Sequence, residues 1–193
     1  KFHGIYQQDD RDRRADRRRR HLEPIYQFMV RMRIPGGVLD KYQWWGIAEL
    51  SRRYAERGIR ITTRQTVQLH GVRKPHLRAL MQGLRDIGLD TIAACGDDSR
   101  GVVCGTNPFL SRAHQRVAEL ARVTSDRLIP KTGAYPEIWY RESAPATHSE
   151  EPVYGELYLP RKFKVGYAIP PVNDIDVYGQ DLGLIAVIDN GEL

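Results

Sequence analysis

The most regular pattern in the chain is "IRITTRQTVQLHG", residues 59–71. Ile59, Ile61, Val67 and Leu69 fall on one parity, and Arg60, Thr62, Arg64, Thr66, Gln68 and His70 on the other. Successive side chains of a strand face opposite ways. The segment therefore reads as a strand with one face on a core and the other displaying arginines, hydroxyls, an amide and an imidazole. A second alternating run, "QFMVRMRIPGGVL" (27–39), puts Phe28, Val30, Met32 and Ile34 on its apolar side and Arg31 and Arg33 opposite, until Pro35-Gly36-Gly37 breaks it. Between the two lies a helical pattern at 40–58, with Asp40 as N-cap, a stripe of Trp44, Ile47, Ala48, Ser51, Tyr54 and Ala55, and Gly58 as stop. Another stripe at 74–88 (Leu77, Leu80, Met81, Leu84, Ile87) ends at Gly88.

Strand, helix, strand, helix in this order predicts an α+β fold whose first unit is ferredoxin-like. After 95–108 the pattern restarts. A helix is expected at 109–129, and strands at 134–140, 156–171 and 182–191, with a polar loop at 141–155. The expected division is a basic polar arm over 1–24, extended or partly helical, a ferredoxin-like domain over 25–94, and the start of a second α+β domain over 95–193.

Charge adds a direction. The net charge is +6 and the pI about 9.4, which favours anionic partners. Much of it is local, since residues 10–24 hold seven arginines. Without interleaved aromatics this run is a weak nucleic-acid signal; a solvated arm or a contact with a partner chain are the other readings. No apolar run is long enough to span a membrane, and the first residues lack the apolar core of a signal peptide. The chain begins at Lys1 rather than Met, so it is expected to be part of a longer one. Two cysteines, Cys95 and Cys104, suggest a reducing, cytoplasmic setting. They cannot supply a four-thiolate zinc or iron–sulfur site.

The 60–70 polar face carries no acid and no lysine, unlike a solvated face that mixes signs. It is compatible with water or with a multiply anionic ligand, for which guanidinium forks are suited. Arg31 and Arg33 adjoin it if the two strands share a sheet. Arg100 sits in the polar loop "DDSRG", and in "LPRKFK" Lys162 and Lys164 point one way while Arg161 and Phe163 point the other. The histidines show no metal-ligand spacing, and no nucleophile motif or phosphate-cradling glycine loop is present.

The segments "KFHGIYQQDDRD", "MRIPGG", "ITTRQTVQLHG", "CGDDSRGVVCGTNP", "EIWY", "EEPVYG", "YLPRKFK" and "PPVNDIDVY" resemble, in order, those of the sirohaem-containing assimilatory sulfite reductases, most closely the haemoprotein subunits of the NADPH-dependent type. The T-T-R-Q element is shared with nitrite reductases; "FHGIYQQDDRD" and "LPRKFK" are more selective. The resemblance implies six-electron reduction of sulfite to sulfide at a sirohaem coupled to a 4Fe–4S cluster. It assigns Arg31, Arg100, Lys162 and Lys164 to sulfite, and Arg60, Thr62, Arg64, Gln68, His70 and, less directly, Arg161 to sirohaem. It makes the chain the N-terminal half, with the cluster cysteines and the axial thiolate outside it, inactive alone, and partnered by the C-terminal half and an NADPH-dependent flavoprotein subunit. Two alternatives stay open: a ferredoxin-dependent sulfite or nitrite reductase, and a noncatalytic basic fragment binding nucleic acid or a protein. The family usually flanks the loop arginine with asparagines; here Ser99 and Gly101 stand there.

Overall fold

The computed structural model describes residues 3–131, 151–155, 159, 161–190 and 193. Four antiparallel strands form the first sheet: β1 (Ile5–Asp9), β2 (Tyr26–Arg31), β3 (Ile59–Ile61) and β4 (Val67–Val72), in the order β1-β2-β4-β3. Helix α1 (Arg11–Arg19) follows β1, α2 (Lys41–Tyr54) follows β2, and α3 (Leu77–Asp86) follows β4. The β2-α2-β3-β4-α3 run has the ferredoxin-like order. The sheet position beside β2 is filled from the N-terminal side, by β1, in register Ile5↔Val30 to Asp9↔Tyr26.

The first 24 residues thus carry a strand and a helix that their composition hid. Asp10 caps α1 by accepting from the Asp12 and Arg13 backbone amides. Arg57 pairs with both Asp10 and Asp12, tying α1 to the turn before β3. Helix α2 starts on a full capping box, with the Asp40 carboxylate accepting from the Gln43 amide while the Gln43 side chain accepts from the Asp40 amide. Its buried side is Ile47 and Ser51; Trp44 and Ala48, expected in the stripe, are exposed. The core joins Val30, Met32 and Ile34 to Val67, Leu69 and Val72 under Ile47, Leu80 and Leu84.

The 59–71 segment is a hairpin, not the single strand its alternation suggests. Ile61 pairs with Val67 and Arg60 with Gln68, and residues 62–66 turn between them. Thr62 N–H donates to Thr66 O, and Gln65 is left-handed at φ 50°. Parity survives the turn, so Arg60 and Gln68 still share a face, which explains why the alternation looks unbroken.

The second sheet is parallel, β5 (Val103–Cys104), β6 (Val165–Ala168) and β7 (Leu182–Ile185) in that order. Helix α4 (Arg112–Leu128), capped by Ser111, buries Ala113, Val117, Ala121 and Ser125. It starts three residues later than expected, leaving Phe109 89% exposed. Within the described parts of the expected strands at 156–171 and 182–191, β6 and β7 form; the strand expected at 134–140 lies outside the described residues, as does most of the 141–155 loop.

The two sheets are joined at the outer edge of β5. Gly36 N–H donates to Val102 O at 2.9 Å. The Gln65 amide takes Cys104 on both sides, donating to its carbonyl at 2.6 Å and accepting from its N–H at 3.0 Å. Gly36 needs to be glycine, because its φ is +63° and a Cβ would sit 2.9 Å from Cys104 Sγ. A third link is Arg33. It makes a two-pronged pair with Asp90 (2.6 and 3.0 Å) and reaches Asp126 of α4 at 2.8 Å and Ser125 Oγ at 3.1 Å. Arg33 therefore serves the fold: it borders the cleft described below, but its charge is already paired with Asp90 and Asp126.

Candidate anion-binding site

These joints open a cleft of ≈ 310 Å³ between the hairpin turn, the end of β2, the 94–101 loop and the 161–164 segment. Arg31, Arg64, Arg100, Lys162 and Lys164 line it together with Tyr6, Thr62 and Thr66. Among the described residues no aspartate or glutamate does.

Local bonds place each cation. The 98–100 loop is stitched to Phe163, whose N–H donates to Asp98 O at 2.9 Å and whose carbonyl accepts from Arg100 N–H at 2.8 Å. With Phe163 packed into the second core, its sequence neighbours Lys162 and Lys164 turn to the cleft, as their parity predicts. Lys164 Nζ donates to Gly179 O at 3.2 Å and lies 3.9 Å from Asp181. Lys162 has no hydrogen bond or ion pair among the described residues.

Arg31 and Arg100 converge on one acceptor, the Ala94 carbonyl, at 3.3 and 2.7 Å. Arg31 also approaches Cys95 Sγ at 3.4 Å and lies over the Tyr6 ring at 5.9 Å. Arg64 extends to Gln180 Oε1 (2.9 Å) and Gly101 O (2.8 Å). Burial together with the nearby Arg100 charge lowers its pKa. Arg64 and Arg100 each keep a buried Nε with no partner. An unpartnered buried donor is costly, and the Arg64 and Arg100 guanidinium groups repel each other, with Asp181 and Asp98 nearby but hydrogen-bonded to neither. An anion answers both.

Cross-strand pairing sets Arg31 opposite Gln68. The Gln68 amide, oriented by its neighbours, accepts from Arg31 Nε and Nη2 at 2.9 and 2.6 Å and donates to His70 Nε2 at 2.9 Å. His70 then accepts through Nε2, as a neutral ring does. Burial, followed by the charges of Arg60, Arg31 and Arg57, holds its pKa low, in agreement. Gln68 and His70 thus reach the cleft through Arg31. Arg60 and Arg161 are exposed and line no part of it. Tyr6, Gln180 and Asp181 escaped the sequence reading; the alternation through Ile5 was a usable signal for Tyr6, but nothing local marked the other two.

Beside the cleft, sharing Thr62, Thr66 and Ile34 with it, runs an apolar groove of ≈ 560 Å³ lined by Val38, Leu39, Trp44, Ile61 and Phe109. A cationic cleft continuous with an apolar groove suits a ligand with an apolar face and an anionic edge.

Two family models match. The nitrite/sulfite reductase ferredoxin-like half domain covers residues 22–87, and the nitrite and sulphite reductase 4Fe–4S domain covers 119–193. The latter stretch contains no cysteine. Among curated relatives, a sulfite reductase (NADPH) hemoprotein beta-component of Nitrobacter winogradskyi is 59% identical and one of Afipia carboxidovorans 56%, each over 100% of this chain and 34% of the relative. The chain spans about a third of the length of the curated relatives it matches. Among solved structures, the Mycobacterium tuberculosis NirA protein superposes with a TM-score of 0.54 at 23% identity, over 86% of this chain and 27% of that one, and so shares the fold. With two models matching in order along the chain and more than half of all positions shared with these relatives, the chain belongs to the nitrite and sulfite reductase family.

Proposed function

We propose that this chain forms one wall of the active site of a sulfite reductase haemoprotein that carries sulfite to sulfide. The supporting observation is the convergence of Arg31, Arg64, Arg100, Lys162 and Lys164, from four separate segments, on a cleft that no acid lines among the described residues. The cleft is at the small end for ligand sites, and holds a small oxyanion. The apolar groove and the hairpin face offer a wall to a larger macrocycle. The sequence resemblance implies sirohaem and a 4Fe–4S cluster, the relatives' printed names a haem and the second family model a 4Fe–4S domain; these groups would deliver electrons when bound.

The chain's own residues then divide the remaining work. Arg31 and Arg100, with permanently charged forks, clamp the anion. Each S–O bond that breaks needs two protons so that oxygen leaves as water, and lysine can give one where arginine cannot. Lys162 is the freer donor, while Lys164 is held by Gly179 and Asp181. Thr62, Arg64, Gln68 and His70, with Arg60 and Arg161 at the periphery, are assigned to the macrocycle's carboxylates. The same proposal includes the division into an arm (1–24), a ferredoxin-like domain (25–94) and a second domain beginning at 95. It also includes a cytoplasmic location and a flavoprotein partner supplying NADPH electrons; among the described residues no helix is long and apolar enough to cross a membrane.

The test uses the full-length haemoprotein. Lys162→Met should lower sulfide formation by about 10²-fold or more. Arg31→Ser should weaken sulfite binding by roughly 10–100-fold, the equivalent of one charge-assisted hydrogen bond. Wild-type sulfide formation in Lys162→Met and Lys164→Met, with loss in Arg31→Ser, would overturn the division of roles. A visible spectrum without sirohaem bands, with salt-dependent DNA retention, would favour the nucleic-acid reading instead. Comparing flavoprotein and ferredoxin as electron donors separates the two reductase types.

A further inference from the structure

Every buried side-chain polar atom without a partner among the described residues belongs to Arg64, Asp98, Ser99 or Arg100. Asp98 is the unexpected member. It is 1% exposed, and neither carboxylate oxygen has a hydrogen-bond partner. Its backbone is fixed by Phe163 N–H, and the next residue, Ser99, has its N–H bound by the Tyr154 hydroxyl at 2.9 Å. The carboxyl therefore stays inside the loop that presents Arg100.

The charged and titratable groups around it are few. Arg100, Asp97 and Cys95 come from its own loop, and Tyr154 with Glu151 from the 151–155 turn. Lys162 and Lys164 flank Phe163 on the bonded segment, and Arg64 faces Arg100. Arg100 is the cation coupled to Asp98. Among the described residues no other side chain or backbone group donates to the carboxylate, and its own backbone N–H helps the ionised form only slightly. Burial accordingly pushes its pKa up to about 7, against the pull of Arg100.

We propose that Asp98 couples anion binding at Arg100 to uptake of a proton: the ionised carboxylate balances Arg100 while the cleft is empty, and takes a proton from solvent when an anion occupies it. The inference rests on the anion site proposed above. The step balances simply. One anion and one proton enter, the Asp98 carboxylate becomes a carboxylic acid, and the site gains no more charge than the anion brings less the proton's. Physically, an anion on Arg100 puts a second negative charge beside a carboxylate that lacks any donor, and protonation removes the conflict. By reciprocity, whatever the anion does to proton affinity the proton does to anion affinity. A reaction that consumes protons at each S–O bond then receives one with its substrate.

The test is calorimetric titration of full-length wild-type haemoprotein and Asp98→Asn with sulfite, at pH 6.5 to 8.5, in buffers of different ionisation enthalpy. Sulfite's own titration contributes equally to both proteins, so their difference isolates Asp98. Wild-type affinity should fall more steeply above pH 7 than that of the variant, by up to tenfold more per pH unit. Its proton uptake per sulfite should exceed the variant's. Equal slopes and equal uptake overturn the inference while leaving the sulfite site standing. Wild-type protein that fails to bind sulfite overturns both. Should Asp98→Asn not fold, infrared difference spectra of the wild type with carbon-13 aspartate decide: a protonated-carboxyl band appearing with sulfite at pH 8 supports the proposal, and its absence refutes it.

Discussion

Replacing Gln65 by alanine should destabilise the protein far more than an exposed turn residue normally does. Gln65 stands in a five-residue turn, yet its amide makes two short hydrogen bonds to the backbone of Cys104, which is 1% exposed. Cys104 lies on the edge of β5 away from β6, so removing the amide leaves a buried N–H and a buried C=O unpaired. Each such group costs about 1–3 kcal/mol, giving a loss of about 2–6 kcal/mol for Gln65→Ala. The backbone conformation is left-handed (φ 50°), and alanine tolerates it no better than glutamine. Gln65→Gly provides the control: it loses the same bonds but relieves about 1 kcal/mol of backbone strain, so it should fall between wild type and Gln65→Ala. Urea denaturation followed by circular dichroism measures all three. A loss below about 0.5 kcal/mol in Gln65→Ala would refute the reasoning, because solvent would then be sealing the β5 edge as well as the amide does.

Other consequences can be checked alongside. Asp98→Asn should stabilise the protein above pH 7: a carboxyl titrating near 7 when folded and 3.8 when unfolded makes the native state bind more protons between those values, so wild-type stability declines as pH rises through that window, by at most about 4 kcal/mol, and the variant's should not. Arg33→Met should cost about 1–3 kcal/mol, less than a wholly buried pair, because Asp90 and Asp126 keep 41% and 42% of their side-chain surface exposed; a double-mutant cycle with Asp126→Asn gives the coupling between β2 and α4. Leu69→Ala, in the fully buried centre of β4, should cost about 2–5 kcal/mol in the same denaturation assay. Cys104, whose thiol burial pushes up to about 11, and Cys95, shifted the same way, should resist iodoacetamide at pH 8 until denaturant is added.

The sequence made the helices and the apolar faces legible because capping and periodicity are local. The Asp40 cap and the Leu80–Leu84 stripe form as their spacing requires, whereas the Ser111 cap, which sets the start of α4, went unread behind the apolar Phe109 and Leu110. It showed β1 and α1 only as an extended or partly helical arm, since a short polar edge strand and a helix without one buried residue carry little apolar signature. It concealed the hairpin too, because a turn that preserves parity leaves alternation intact. For the cleft, pattern alone found cationic side chains on polar faces, but it could not say which were already neutralised. Arg33 and Arg31 lie on the same parity two residues apart. One is spent on Asp90 and Asp126, whose positions are fixed only by the tertiary fold, while the other shares Ala94 O with Arg100. Asp98 was indistinguishable from its neighbour Asp97, which is exposed, until burial separated them.

The hairpin turn also bears on how this chain can change length. Strand β4 has partners on both sides, β2 and β3, whereas β3 is bonded to β4 alone. An insertion or deletion within 62–66 would be absorbed by β3, whose Ile61 already faces solvent, and would leave Gln68 fixed opposite Arg31. Arg60 would shift relative to Gln68 by every residue added. Within one polar row, then, the fold separates positions that are mechanically pinned from one that is free to drift, and Gln65, tethered to Cys104, limits where in the turn such a change can be accepted.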